Sequence, residues 1–155
     1  MKKYPREQYY FDIVEVVRKR GTCDRGQAGA ILVKDGRIIT TGYVGSPAGT
    51  PECGEVGHII QERRIPFAQQ HRHCIRTVHA EMNCIIQAAK FGQSIQDSIM
   101  YCTMFPCYEC AKVIVNAGIL EVHSYYPYQD MNMSQQLLTQ AGIIHSIKED
   151  KPLVY

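Results

Sequence analysis

Two short clusters constrain this chain more than anything else in it. His79-Ala80-Glu81 comes first, and Pro106-Cys107-Tyr108-Glu109-Cys110 follows about one small βα unit later. Together they offer one imidazole and two thiols as metal ligands. Structural zinc takes four protein ligands, whereas catalytic zinc takes three and leaves a position open to water. The set is therefore one short of a closed site. The remaining residue, Glu81, is a carboxylate beside the open position and is suited to moving protons.

The spacing also predicts local structure. Pro106 suits a helix start, and a helix from about Cys107 to Gly118 puts Cys107 and Cys110 on one face of its first turn. The unpaired N–H groups and positive dipole end there favour thiolate over thiol. His79 and Glu81 open a second helix that runs to about Phe91 and stops at Gly92. Val78, Met82, Ile85, Ile86 and Ala89 give it an apolar face at helical spacing. A neutral His79 with two thiolates balances the charge of Zn2+, and the metal remains a Lewis acid. This equipment suits hydrolytic attack on an aromatic carbon that bears an amine, with Glu81 carrying protons. The competing readings are a core histidine with buried cysteines, or a closed structural zinc site with Glu81 merely solvated.

With 155 residues, the expectation is one domain spanning 1–155 with a single sizeable core. The net charge of +2 leaves no strong polyanion footprint, which disfavours a long nucleic-acid substrate and is silent about a mononucleotide. No apolar run is long enough to span a membrane, and Met1-Lys2-Lys3 leads into polar residues, not into a signal sequence. The seven cysteines are an odd number at metal-like spacings, which points to a reducing cytosol and not to a disulfide framework.

From the N-terminus, residues 6–20 read as an amphipathic helix with Tyr10, Ile13, Val14 and Val17 on one face. Its basic end, Arg18-Lys19-Arg20, reads as a solvated terminus. Gln27–Val33 and Arg37–Tyr43 are β-rich and joined by Lys34-Asp35-Gly36, a strong hairpin signal. A glycine-rich loop follows, residues 42–49, of a kind that can let backbone approach a ligand. Pro51–Thr77 reads as a long irregular segment, and such loops are usually functional or tied down. It carries Cys53, His58, His71, His73 and Cys74, which with Cys23 form a second pool of ligands. We expect a closed structural zinc here, held by Cys23, Cys53, His58 and Cys74, with His73 as the alternative to Cys74. Further on come a strand at Ser98–Thr103, the Cys107 helix, a strand at Leu120–Tyr125, a helix at Ser134–Ala141 with Ser134 as N-cap, and a strand at Ile143–Ile147. The rhythm is that of an α/β layer fold around one mixed sheet.

These residues resemble a known family. His79-Ala-Glu81 and Pro106-Cys-x-x-Cys110 match the signature of zinc-dependent nucleobase deaminases. Gly42-Tyr43-Val44-Gly45-Ser46-Pro47-Ala48-Gly49, Cys23-Asp-Arg25 and the cysteine-bearing insertion before His79 narrow the likeness to deoxycytidylate (dCMP) deaminases of the bacterial and bacteriophage type. The resemblance implies a three-layer α/β/α sandwich with a five-stranded mixed sheet. It implies dCMP as substrate, dUMP and ammonia as products, a cytoplasmic setting in a bacterium or a phage-infected host, and a homohexamer. It implies activation by dCTP with Mg2+ and inhibition by dTTP. Glu81 would be catalytic, and His79, Cys107 and Cys110 would hold the catalytic zinc. Arg25, Tyr43, Val44, Gly45, Ser46, Ala80 and Tyr128 would contact substrate or effector. One position departs from the pattern: the family usually has asparagine where this chain has Val44. Two other readings stay open, a deaminase of a tRNA base or of a riboflavin precursor, and a non-catalytic zinc-binding module.

Overall fold

The structure is a computed structural model that describes residues 3–63, 71–151 and 153, without the side chains of Arg63, His71 and Arg72. The side chain of His71, counted above in the second ligand pool, thus lies outside the described residues. In chain order the elements are α1 (Arg6–Arg18), β1 (Gly29–Lys34), β2 (Arg37–Tyr43), α2 (Cys53–Val56), β3 (Ile60–Arg63), β4 (His71–Cys74), α3 (Ala80–Lys90), β5 (Ile99–Met104), α4 (Tyr108–Asn116), β6 (Glu121–Tyr126), α5 (Asn132–Gln140) and β7 (Ile144–Ile147).

Five strands form one mixed sheet in the order β2-β1-β5-β6-β7. The expected hairpin is there: β1 and β2 pair antiparallel, with Asp35 at φ 51° and Gly36 at φ 74°. Two consecutive positive φ values are what a two-residue turn needs to match strand twist. β1 also pairs antiparallel with β5, while β5, β6 and β7 run parallel and are linked through α4 and α5.

Alternation along β1 explains the layers. Ala30 and Leu32 point to one face, where they join Ala80 and Cys84 of α3, Ala111 and Ile114 of α4, and Leu138 of α5. Ile31 and Val33 point to the other face and meet Tyr10, Phe11 and Val14 of α1. One helix on one side and three on the other give an α/β/α sandwich, as expected. With both faces of the central strands covered, β1 reads as a nearly continuous apolar run.

Three local readings change. Pro51–Thr77 is not irregular throughout, because it carries α2 and the antiparallel pair β3–β4. On α3 the face buried in the core is Ala80, Glu81, Cys84 and Ala88, while Ile86 is 53% exposed. The small residues are inside because β2 comes too close for large ones. A Cβ on Gly42 would lie 2.3 Å from the Ala80 carbonyl oxygen and 2.3 Å from the Cys84 nitrogen. In α5, Ser134 is not the N-cap. Met131 occupies that place and Ser134 is fully buried one turn inside.

Gly42 thus sets the approach of β2 to the first turn of α3, which carries Glu81. Gly42→Ala is expected to destabilise the fold by at least about 2 kcal/mol, since overfilled contacts against backbone relax poorly. The midpoint of urea unfolding should fall accordingly, and an unchanged midpoint would contradict this packing.

Candidate functional site

Two helix N-termini converge to build the site. His79 is the N-cap of α3 and Cys107 is the N-cap of α4, and neither side chain caps its own helix. Both side chains turn instead toward a common point. Cys110, in the first turn of α4, joins them there. The His79 Nδ1 lies 3.4 Å from the Cys107 Sγ and 3.5 Å from the Cys110 Sγ. In tetrahedral zinc, bonds of about 2.3 Å to sulfur and 2.0–2.1 Å to nitrogen put S and N about 3.6 Å apart. The three side chains therefore fit Zn2+ in both donor chemistry and spacing, and their ligand atoms all fall within 4.8 Å of one another.

The charge pattern agrees. Cys107 is held down to about 4 by hydrogen bonding from Cys110 and from His79, against its burial. Cys110 is pushed well up by its bond to the Cys107 sulfur and by burial. Two sulfurs competing for one proton is what a bound cation resolves, since both can then be thiolates. Glu81 is buried, and desolvation raises its pKa, with the His79 charge working against the rise. A carboxyl so placed holds a proton more readily than one in water and is suited to proton transfer.

A cavity of about 210 Å3 opens beside these groups. Arg25, Val44, His79, Ala80, Glu81, Cys107 and Tyr128, all singled out from the sequence, line it. Tyr43, Gly45 and Ser46 are not among its lining residues. Their loop has another task, which is to brace the site. Gly45 and Val78 exchange backbone hydrogen bonds at 3.3 and 2.9 Å, and the Asn83 amide donates to the Tyr43 carbonyl at 2.8 Å. The stretch that leads into His79 is thereby fixed to the end of β2. Sequence reasoning missed several wall residues, including Thr77, Phe105 and Gln129. Thr77 and Phe105 sit within two residues of the motifs, and that adjacency was the available signal.

The second ligand pool also assembles. Cys23, Cys53, His58 and Cys74 place their ligand atoms within 4.8 Å of one another. The Cys53 and Cys74 sulfurs are 3.7 Å apart, against about 3.8 Å for two thiolates on tetrahedral zinc. Cys23 Sγ lies 3.8 Å from His58 Nδ1. His73, the alternative ligand, is not in this group and lines the cavity instead. Burial pushes Cys53 up to about 12. Burial acts on Cys74 too, but the Arg76 N–H, His58 and the Ile59 N–H outweigh it and bring that thiol down to about 7. Cys23 and Cys74 line the same cavity as His79, so the two clusters flank one space.

Comparison with known proteins gives a consistent result. Residues 5–125 match the family described as the cytidine and deoxycytidylate deaminase zinc-binding region. The chain is 35% identical over 155 residues to ComE operon protein 2 of Bacillus subtilis (strain 168), covering 99% of this chain and 77% of that protein. It is 32% identical over 162 residues to the deoxycytidylate deaminase of Enterobacteria phage T4, covering 84% and 83%. Among solved structures, the dCMP deaminase of cyanophage S-TIM5 in complex with dCMP and dUMP aligns with a TM-score of 0.76 at 27% identity, covering 95% of this chain and 99% of that one. Among the described residues no helix is long and apolar enough to cross a membrane.

Removing one ligand of the His79 cluster should cost its metal. Cys110→Ala is expected to lower the zinc retained per chain by one equivalent after dialysis, measured by elemental analysis. An unchanged zinc content would show that these three side chains do not hold it.

Proposed function

The chain belongs to the cytidine and deoxycytidylate deaminase family, and from that premise we propose that it hydrolyses dCMP to dUMP and ammonia. The observation that carries the reading is the three-ligand His79, Cys107 and Cys110 cluster with buried Glu81 in the same cavity. His79, Cys107 and Cys110 would hold a zinc ion, whose Lewis acidity would make a water nucleophilic at neutral pH. Glu81 takes a proton from the attacking water and delivers it to the ring nitrogen next to the reacting carbon. The proton of the newly added hydroxyl then passes through Glu81 to the amine, and as the C=O bond forms the C–N bond breaks and ammonia leaves. Tyr128 and Ala80 bound the space for the base, and Arg25, which lines the same cavity, is the group suited to the 5′-phosphate.

Glu81→Gln keeps the shape and removes the proton carrier. It is expected to keep its zinc and to lose at least about 10³-fold in turnover of dCMP, followed as loss of cytosine absorbance, in line with general acid–base contributions of about 10²–10⁴. Wild-type protein that holds zinc and leaves dCMP untouched, with and without dCTP, would overturn the assignment. Gel-shift binding of tRNA at physiological salt would favour the tRNA-base reading instead.

The finer parts of the proposal are these. The chain acts as one domain, 1–155, in the cytoplasm and as a homohexamer. The quartet Cys23, Cys53, His58 and Cys74 holds a second, structural zinc, supported by three thiols and an imidazole whose ligand atoms lie within 4.8 Å of one another. dCTP with Mg2+ activates and dTTP inhibits, with Tyr43, Gly45 and Ser46 on the effector side of the braced loop. Velocity plotted against dCMP should become steeper and saturate earlier with dCTP, and shift the opposite way with dTTP. Superimposable curves would remove the effector assignment.

A further inference from the structure

We propose that Glu52, outside both ligand sets and the cavity wall, is the positioning residue that assembles the Cys23, Cys53, His58 and Cys74 quartet. The inference rests on the reading that this quartet holds zinc. The four ligands come from three stretches of chain, around Cys23, Cys53 to His58, and Cys74, so something other than local structure must bring them together. One joint is largely backbone work. Ile75 donates to the Ile59 carbonyl at 2.8 Å, and β3 pairs with β4, so Cys74 is placed against His58. The Arg76 Nε donates to the Gly57 carbonyl at 2.9 Å and adds to the same joint.

The joint between Cys23 and Cys53 is different. These residues are thirty apart in the chain, and a single carboxylate oxygen links their neighbours. Glu52 Oε2 accepts from the Thr22 hydroxyl at 2.6 Å and from the Ser46 N–H at 3.2 Å. Thr22 immediately precedes Cys23 and Glu52 immediately precedes Cys53. Glu52 is also the N-cap of the four-residue α2. Its side chain accepts from the Glu55 backbone, and its own N–H donates to the Glu55 carboxylate at 2.8 Å. The Thr22 and Ser46 contacts hold the carboxylate, and the carboxylate fixes where Cys23 stands relative to Cys53, while the capping box serves only to start α2. The Ser46 contact extends the joint to the loop that Gly45 and Val78 tie to the His79 stretch. Residues that orient metal ligands in this way typically contribute 10–100-fold to metal affinity.

The test compares zinc retention and affinity, by competition with a chromophoric chelator, in the wild type and three variants, with thermal unfolding monitored in parallel. Wild type is expected to hold two zinc ions per chain. Glu52→Ala should bind one of its two zinc ions, the one that Cys110→Ala retains, 10–100-fold less tightly while keeping the other unchanged. Glu52→Gln retains a carbonyl oxygen for Thr22 and Ser46 and should stay within about threefold of wild type. Glu55→Ala breaks the capping box without touching Thr22 and should stay close to wild type as well. Equal zinc affinity in Glu52→Ala and wild type would overturn the proposal. So would loss in Glu55→Ala as large as in Glu52→Ala, since the effect would then be helix stability. Should wild type hold only one zinc, the quartet reading fails, and the role of Glu52 falls with it. Should Glu52→Ala fail to fold, Thr22→Val removes the same hydrogen bond from the other side and is expected to reproduce the selective loss. An unaltered Thr22→Val would then refute the joint.

Discussion

The convergence of two helix N-termini is the constraint on which the site depends. An N-cap residue has extended backbone and a side chain that ordinarily bonds back to its own helix. His79 and Cys107 occupy N-caps without doing so. Their side chains project from the helix ends toward each other, at a point where unpaired backbone N–H groups and two helix dipoles favour negative charge. That field helps thiolates form and keeps imidazole neutral, the protonation states a divalent cation needs. The sheet makes the convergence possible. α3 packs on β1 and β2, while α4 follows β5 directly through Phe105 and Pro106, both buried. The helices start near the same edge because β1 and β5 are neighbours.

The second cluster solves another problem. Among the described residues, the patch around this second cluster gathers Cys23, Val44, Cys53 and Cys74 as buried apolar groups, with Ala28 and Ile60 partly buried against them. Such a patch contributes little burial energy, at roughly 1.5–3 kcal/mol per fully buried large side chain and less for cysteine. Backbone pairing and the Glu52 contacts supply direction but little cohesion. Four ligand atoms within 4.8 Å of one another would, with an ion bound as proposed above, be a concentrated source of both.

Much of this was legible in the sequence because metal ligands are scarce residue types with strict spacing. The His79 and Cys107 clusters, the Asp35-Gly36 turn and the strand–helix rhythm each rest on local chemistry. What escaped was non-local. The face of α3 was misread because periodicity counts apolar residues and does not know how close the neighbour comes. Gly42 brings β2 so near that Ala80, Cys84 and Ala88 go inside, and Ile86 is left out. Ser134 looked like a cap by residue type, yet the chain had already entered the helix at Asn132. Glu52 carried no signal at all, since a glutamate in a loop is ordinary until Thr22 and Ser46 are seen beside it.

Val44 shows how a departure from a family pattern acquires a physical meaning. The asparagine that the resemblance implies at this place would bring an amide able to hydrogen-bond a nucleotide, and valine has none. A backbone substitute at the same position is one conceivable remedy, but the structure has already used that N–H. Val44 donates to the Ala28 carbonyl at 3.0 Å, and its own carbonyl accepts from Thr22 at 3.0 Å. Its side chain is 6% exposed and packs with Cys23, Cys53 and Cys74 while also lining the cavity. The residue therefore works in two directions. Toward the cysteines it is an apolar cover that keeps water from the sulfurs and preserves their soft, low-dielectric surroundings. Toward the cavity it presents methyl groups. What the chain gives up in a polar contact at position 44 it gains as a lid over the quartet.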